Sequence, residues 1–461
     1  MTDHGNTDHG SAEHLAVLAS EAFVVGYALV ADVEQVERFA REGVGGIPST
    51  PFNTFGHARS LAGPDDTFVS INNDTVYSIA QVDVGAGPLL LSVPDAGERY
   101  YVLQFVDAWT NNFAYIGTRA TGNGAGEFLL VPPGWTQAEG EPGSATVVPF
   151  PTRIATIVGR WAVDGEDDLP AVHALQDALT LAPLLRPSGD ADDRDAFADG
   201  IPAVPESGSE ALTFFERMRV WSQAFPPAEH DRVALASYEE LGLTGPVPIA
   251  DQPDTVKAAL EAGYAVGKEA LEASLRTGVP LTDGWQVNLH AFDYNTDFLG
   301  IGTIDSPEWR MADPKTRYAH RAAAALGGLW GNHAYEAAYV ATYVDADGDA
   351  LSGEHVYRLR LQPTPPVDAF WSITMYDLPH YYLVANPIGR YSLGDRTRGI
   401  VYDDDGGLTI TMSATRPTDE RAAANWLPTP DGAFRPLLRM YVPRADVLTG
   451  AYRLAAIEKV A

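Results

Sequence analysis

The chain has 461 residues, 45% of them hydrophobic and 20% charged. This is the composition of a folded globular protein of two or three packed units, and it excludes a collagenous, coiled-coil or wholly disordered chain. With 31 Lys+Arg against 62 Asp+Glu the formal net charge is −31, a surface that repels phosphate backbones and anionic lipid, so neither nucleic acid nor a membrane is expected as a partner. The chain contains no cysteine, which removes disulfides, thiolate metal sites and thiol nucleophiles.

The N-terminus, Met1 to His14, is polar and has no basic stretch of the kind that opens a signal peptide, so a cytoplasmic location is the expectation. Leu15 to Val30 is the most apolar stretch, but it holds Glu21 and Gly26 and runs into Asp32, Glu34, Glu37 and Arg38. It reads as a buried helix within a helical lead (1–47), short of a membrane span. A strand-rich half (48–185) follows, then a linker and helical middle (186–334), then a second strand-rich half (335–461). The stretch from Arg186 to Ser209 is rich in Asp, Gly, Pro and Ser and reads as a linker. In the middle, periodicity predicts helices over Leu212–Gln223, Val233–Leu241, Asp254–Thr277 and Pro314–Leu329. Val256, Ala259, Leu260, Gly263, Gly267, Ala270 and Leu271 share one helical face, whose small residues allow another element to pack close.

The two strand-rich halves resemble each other. Tyr101, Leu103, Phe105 and Asp107 alternate onto one face of a strand, as do Trp371, Ile373, Met375 and Asp377. Val76–Asp83 matches Ala338–Asp345, Ile116-Gly117-Thr118-Arg119 is aligned with Ile388-Gly389-Arg390, and Arg153–Val158 with Arg435–Met440. The offset between matches changes mainly across loops, as it does when a duplicated domain acquires insertions. The expected fold is α+β: two tandem antiparallel β-sandwich, jelly-roll-like domains with a helical segment between them and an N-terminal helix. Two unrelated β regions are the competing reading, because alternating patterns align easily.

Conventional catalytic signatures fail. There is no nucleophile-elbow G-x-S-x-G and no zinc-binding H-E-x-x-H. Gly122-Asn-Gly124-Ala-Gly126 precedes a strand instead of a helix, so it reads as a turn, not a phosphate cradle. Asp345-Ala-Asp347-Gly-Asp349 has the wrong glycine position for a calcium loop and reads as a hairpin turn. His290, His333 and His355 leave a metal-dependent enzyme open as an alternative, but no metal ligand is assigned. Candidate chemistry lies instead at strand ends. Asp107 and Asp377 close apolar faces, where partial desolvation would raise a carboxyl pKa; a turn-forming or arginine-paired role, with Arg119 and Arg390, competes. Beside them lie Trp109, Asn111, Asn112 and Tyr115 in the first half, and His380, Tyr381, Tyr382 and Asn386 in the second. Aromatic walls beside amides and carboxylates suit a polyhydroxylated or aromatic ligand.

Several ordered motifs carry a family resemblance: Ile71-Asn-Asn-Asp-Thr-Val-Tyr-Ser78, Leu91-Ser-Val-Pro-Asp95, Arg99-Tyr-Tyr-Val102, Asp107 and Gly117-Thr-Arg119. They resemble the N-terminal domain of a bacterial family carrying tandem domains of unknown function (family 1254). Phe370–Asp377, Asn386-Pro387, Arg390–Asp395, Asn425-Trp-Leu-Pro428 and Arg439-Met-Tyr441 are similar to its C-terminal companion (family 1214). The resemblance implies a β-sandwich in each half and no established catalytic residues. Its matching positions supply a shortlist: Asn73, Asp74, Asp107, Arg119, Trp371, Asp377, Asn386, Arg390 and Trp426.

The reading that results is an enzyme of hydrolase or lyase type acting without an organic cofactor on a small or carbohydrate-like molecule. Asp107 or Asp377 would be general acid or base, Arg390 or Arg119 an anion stabiliser, and Trp371, Tyr376 and Trp109 the stacking wall, with Asn73, Asp74, Asn111, His380 and Asn386 nearby. The alternative is a non-catalytic binding or assembly protein built from the duplicated sandwiches, for which a homo-oligomer is the expected form.

Overall fold

The computed structural model describes residues 6–66, 69–136, 144–184, 200–276 and 281–460. The expected linker therefore lies largely outside the described residues. The fold is α+β, with an N-terminal helix and two sheet-rich regions in tandem.

The lead helix runs Asn6–Glu42. Its stretch Ala12–Glu42 is long and apolar enough to cross a membrane by length and composition alone, a test the sequence reading had it fail. The helix is nevertheless built into the protein: Ala19, Ala22, Phe23, Leu29 and Val33 are buried with Phe215, Trp221 and Leu260 in one core. Its main partner is the helix Asp254–Arg276. The small residues expected to permit close packing do so. A Cβ on Gly263 would come within 2.4 Å of the Ala19 Cβ, and one on Gly267 within 2.6 Å of the Phe23 ring. The other middle helices form at Glu210–Ala224, Glu229–Ala236 and Pro314–Gly328. Ser209 caps the first of them and Asp313 the last, each accepting from a backbone N–H in the opening turn.

Each strand-rich half is a two-layer unit. In the first, a five-stranded sheet is ordered 55–57, 75–83, 154–162, 101–107, 112–117, and a four-stranded sheet 146–149, 126–131, 89–93, 180–183. In the second, the six-stranded sheet runs 281–282, 285–287, 337–341, 434–441, 371–377, 392–394, and its four-stranded partner 426–428, 408–413, 357–361, 458–459. Apart from the extra edge strand 281–282, the order is the same in both halves. The pairing sense is the same too: all antiparallel except one parallel pair, 126–131 with 146–149 and 408–413 with 426–428. That parallel pair departs from an all-antiparallel jelly roll. Strands 281–282 and 285–287 come from the middle region, so the second sheet begins earlier in the chain than 335.

The alternating faces point inward as expected. Tyr101, Leu103 and Phe105 join Leu89, Leu91, Phe128 and Leu130 between the layers of the first half. Trp371, Ile373 and Met375 join Tyr357, Leu359, Ile410 and Met412 in the second. The opposite faces of the two large sheets are also buried, and they carry polar groups: Gln104 and Arg160 on one, Ser372, Thr374 and Arg439 on the other.

Candidate functional site

The polar faces of the two large sheets are covered reciprocally. The segment that leads into the second strand of each half lies across the large sheet of the other half. From the first half, the Ser70 carbonyl accepts from Arg439 Nη2 at 2.8 Å and the Ile71 carbonyl from the Tyr376 hydroxyl at 2.6 Å. From the second, the Trp330 carbonyl accepts from Arg160 Nη2 at 2.9 Å and the Gly331 carbonyl from Gln104 Nε2 at 2.8 Å. Cross-strand pairing makes these positions equivalent. Thr75 faces Ala162 as Ala337 faces Tyr441, and Val102 faces Gly117 as Ser372 faces Gly394. Arg160 therefore corresponds to Arg439, and Asp74 to Glu336.

This register corrects part of the sequence alignment: Ala155 faces Asp107 as Phe434 faces Asp377, so 153–158 corresponds to 432–437 and not to Arg435–Met440. The counterpart of Ile116-Gly117-Thr118-Arg119 is Leu393-Gly394-Asp395-Arg396, not the segment ending at Arg390. A Cβ on Gly117 would lie 2.3 Å from the Tyr101 carbonyl oxygen, and one on Gly394 2.0 Å from that of Trp371. Both strands thus cross at the same tight contact, and Arg119 and Arg396 leave it in the same place. Each arginine then reaches into the opposite half.

One of the two resulting junctions is closed. Arg119 Nε donates to Glu336 Oε2 at 2.6 Å, Nη2 to the Gly302 carbonyl at 2.5 Å, and the Tyr100 hydroxyl to Glu336 Oε1 at 2.9 Å. Its guanidinium lies 4.8 Å from the Tyr335 ring centroid. The segment Gly300–Ile304 of the middle region fills the remaining space: Tyr115 N donates to the Ile301 carbonyl, and Gly302, at φ +74°, touches Ala120 and Tyr115. His333 lies in the same junction, between the Tyr115 and Tyr335 hydroxyls at 2.9 and 3.0 Å, and burial pushes its pKa down to about 3.

The other junction is open. Arg396 donates to Asp164 Oδ1 at 2.7 Å, to the Val163 carbonyl at 3.3 Å and to the Asp74 carbonyl at 3.2 Å, and stacks 3.6 Å from the Phe370 ring centroid. Asp74 Oδ2 accepts from Ser372 Oγ at 2.6 Å and from the Tyr441 hydroxyl at 3.4 Å. Its Oδ1 has no hydrogen-bond partner among the described residues. Asn72 Oδ1 accepts from Asp74 N at 2.5 Å and so fixes the turn that presents the carboxylate. In front of these groups opens a cavity of about 460 Å³, walled by Asn73, Asp74 and 163–167 of the first half and by Ser372, Ser392, Gly394 and 396–398 of the second. Next to it, Asp395 accepts from Trp371 N at 3.2 Å, and burial raises its carboxyl pKa.

The sequence-predicted residues distribute unevenly around this arrangement. Asn73 and Asp74 line the open cavity and Arg119 holds the closed junction. Trp371 borders the cavity, but it belongs to the inward face of its strand and joins the core. Tyr376 is buried under Arg439, so the expected aromatic wall is not assembled. Asp107 is fully buried instead of standing at a mouth. Burial raises its pKa to about 6, but its Oδ1 accepts from Trp109 N and Asn111 N and its Oδ2 from Asn111 Nδ2, all within 3.0 Å. It fixes the turn after its strand. Trp109 Nε1 donates to the Phe225 carbonyl and Asn111 Oδ1 accepts from Arg321, so both tie that turn to the helices. Asp377 accepts from Tyr382 N in a turn, Asn386 bridges the Val384 and Arg390 carbonyls, and Arg390 donates to the Ala424 and Trp426 carbonyls. His380 is exposed and stacks on Tyr382. These residues do not come together with the cavity.

The histidines are dispersed as well. His290 binds Asp293 at 2.6 Å, and no group of three or more His, Asp or Glu able to hold a metal is present among the described residues. Asp345 Oδ1 accepts from Asp347 N and Asp349 N, which makes that segment the turn it was read as.

Sequence reasoning missed Arg396, Ser372 and Ser392. Shifting the second-half match from Ile388-Gly389 to Leu393-Gly394 would have found Arg396 as the partner of Arg119.

No curated protein matches the chain. Its fold is similar to that of the VPA0106 protein from Vibrio parahaemolyticus, at 24% identity and a TM-score of 0.72 over 97% of this chain and 100% of that one. A putative uncharacterized protein from Burkholderia cenocepacia aligns at 13% identity and a TM-score of 0.43, over 99% of this chain and 94% of that one. Family models match at residues 52–183 (protein of unknown function, DUF1254) and 336–445 (protein of unknown function, DUF1214). Those spans contain Asp74 and Arg119 on one side and Glu336 and Arg396 on the other, so the acid and the arginine of each junction come from the two matched regions, and the chain belongs to the family that carries these two domains in tandem.

Proposed function

We propose that the open junction binds a small, hydroxyl-bearing, carbohydrate-like molecule and that the protein is a hydrolase or lyase acting on it without an organic cofactor. The observation that carries this reading is the difference between two equivalent carboxylates. Both oxygens of Glu336 are occupied, whereas Asp74 keeps Oδ1 free at the wall of a cavity between two structural units, the kind of place where ligand sites form. In this reading Asp74 is the general acid or base. Ser372 holds its other oxygen in position, and Ser392, Asn73 and the Arg396–Arg398 edge bond hydroxyls. A protein working in the cytoplasm is part of the same reading, supported by the burial of the lead helix.

A second reading, non-catalytic ligand binding, is favoured by one observation. The Ser372 and Tyr441 bonds to Asp74 parallel the Tyr100 and Arg119 bonds to Glu336, so the carboxylate also serves as a clasp between halves.

A thermal-shift screen of the intact protein over sugars, polyols and hydroxy acids tests both. A true ligand at a hundredfold excess over its Kd stabilises by about 2.7 kcal/mol. The expected result is a hit that is turned over by the wild type and whose shift is lost in Asp74→Asn. A hit bound without turnover selects the second reading. If Asp74→Asn keeps the full shift, the cavity is not the site.

A further inference from the structure

A second cavity, of about 170 Å³, is lined by Asn72 and Thr75, whereas Asn73 and Asp74 between them line the open junction, and the two cavities share no lining residue. Most of its wall is apolar: Val44, Ile47, Ile71, Ile79, Val158 and Leu329. A cavity of about 150 Å³ suffices for benzene, so this one accommodates a body of one ring. Its wall also contains Arg160, whose side chain is a buried cation.

Arg160 is only 7% exposed. Its guanidinium donates to Gln104 Oε1 at 2.8 Å, to the Trp330 carbonyl at 2.9 Å and, weakly, to Asn332 Oδ1 at 3.4 Å. All three are neutral oxygens, and no carboxylate among the described residues forms an ion pair with it. A buried charge is ordinarily compensated by an opposite one, because desolvation costs several kcal/mol per ion. Arg439, its counterpart, also binds only neutral oxygens, those of Ser70, Thr374 and Tyr376. What distinguishes Arg160 is the apolar cavity beside it, shared with two of its neighbours, Tyr77 and Trp330. Asp66 also borders this cavity, with its Oδ2 held by Gly63 N at 2.8 Å.

We infer that this cavity is a binding site for a small apolar monocarboxylate, its ring or short chain against the aliphatic wall and its carboxylate on Arg160. The planar guanidinium suits a carboxylate, and an apolar body without a charge would leave the cation uncompensated. The site is separate from the open junction and does not depend on the function proposed for it.

The probes are benzoate, its neutral near-isostere benzamide, and acetate, which has the charge but no ring. Each is titrated calorimetrically into the intact protein at neutral pH. The expected order is benzoate binding about tenfold or more tighter than either of the others. Ala58→Phe, which fills the cavity from its wall, should abolish benzoate binding, whereas Asp74→Asn should leave it unchanged. In Arg160→Gln the preference for benzoate over benzamide should vanish; if that variant does not fold, the wild-type comparison decides alone. Equal affinity for benzoate and benzamide, equal affinity for acetate, no saturable benzoate binding in the millimolar range, or loss of binding in Asp74→Asn would each overturn the assignment.

Discussion

The two junctions between the halves share strand register, a glycine contact and an arginine that crosses over, yet only one of them is filled. At the closed junction the acid is a glutamate, long enough to reach both Tyr100 and Arg119, and the segment 300–304 occupies the space in front of it. At the open one the acid is an aspartate. Arg396 is drawn instead to Asp164 and to two carbonyls, and among the described residues no segment takes the place of 300–304. The contrast separates a scaffold from a site: one junction secures the two halves, which leaves the other free to present a carboxylate.

The largest expected effect follows from breaking the closed side. Glu336→Gln leaves the Arg119 guanidinium without its counter-ion among buried aromatics and should cost about 3–5 kcal/mol in chemical denaturation. Asp74→Asn should cost about 1 kcal/mol in the same measurement, because its oxygen can still accept from Ser372. Equal losses would mean that both junctions are merely structural. Gly302→Val should cost about 2–4 kcal/mol, since a Cβ there meets Ala120 at 2.5 Å and the backbone has φ +74°. Thr397→Val, which removes the hydroxyl that accepts from Gly394 N at 3.0 Å, should cost about 1 kcal/mol.

The acid limb of the stability curve sharpens the contrast further. The His333 pKa is about 3 in the folded protein, below its unfolded value, so the unfolded state takes up the proton first. Its contribution is complete above about pH 6.5 and is lost as the pH falls from there towards 3. His57, lowered to about 4 by burial, acts in the same direction. His333→Gln should flatten the fall in stability between pH 6 and pH 4 (a window of about two units) relative to the wild type. An unchanged slope would show that the closed junction admits water. The smallest effect belongs to Arg398→Ala at the rim of the open cavity. Its pair with Asp167 spans 3.7 Å between largely exposed side chains, and losing it should change stability by less than about 0.5 kcal/mol.

Much of the architecture could be read from the residues because it rests on periodicity. The helices at 210–224, 254–276 and 314–328 and the inward faces of 101–107 and 371–377 announce themselves by spacing, and Gly263 and Gly267 mark the approach of the lead helix. The site was less legible. Asp107 and Asp377 close apolar faces as expected, but both oxygens of Asp107 and Oδ1 of Asp377 accept from local N–H groups, a use that spacing alone does not distinguish from catalysis. Ile-Gly occurs at both 116–117 and 388–389, which aligns Arg390 with Arg119 on sequence alone. The true register, through Gly394, depends on a backbone contact with Trp371 that leaves no periodic trace. The reciprocal covering of the two polar sheet faces joins residues about 300 positions apart in the chain, such as Asp74 and Ser372, and a single sequence gives no sign of such pairs.

Hydrogen exchange of the intact protein, with and without the ligand found by thermal shift, addresses the asymmetry of the two junctions most directly. Added protection is expected at 163–167 and 392–398, with residues 115–119 and 300–304 unchanged. Protection that appears instead at 115–119 and 300–304, or that spares the Asp74 junction, would contradict that asymmetry.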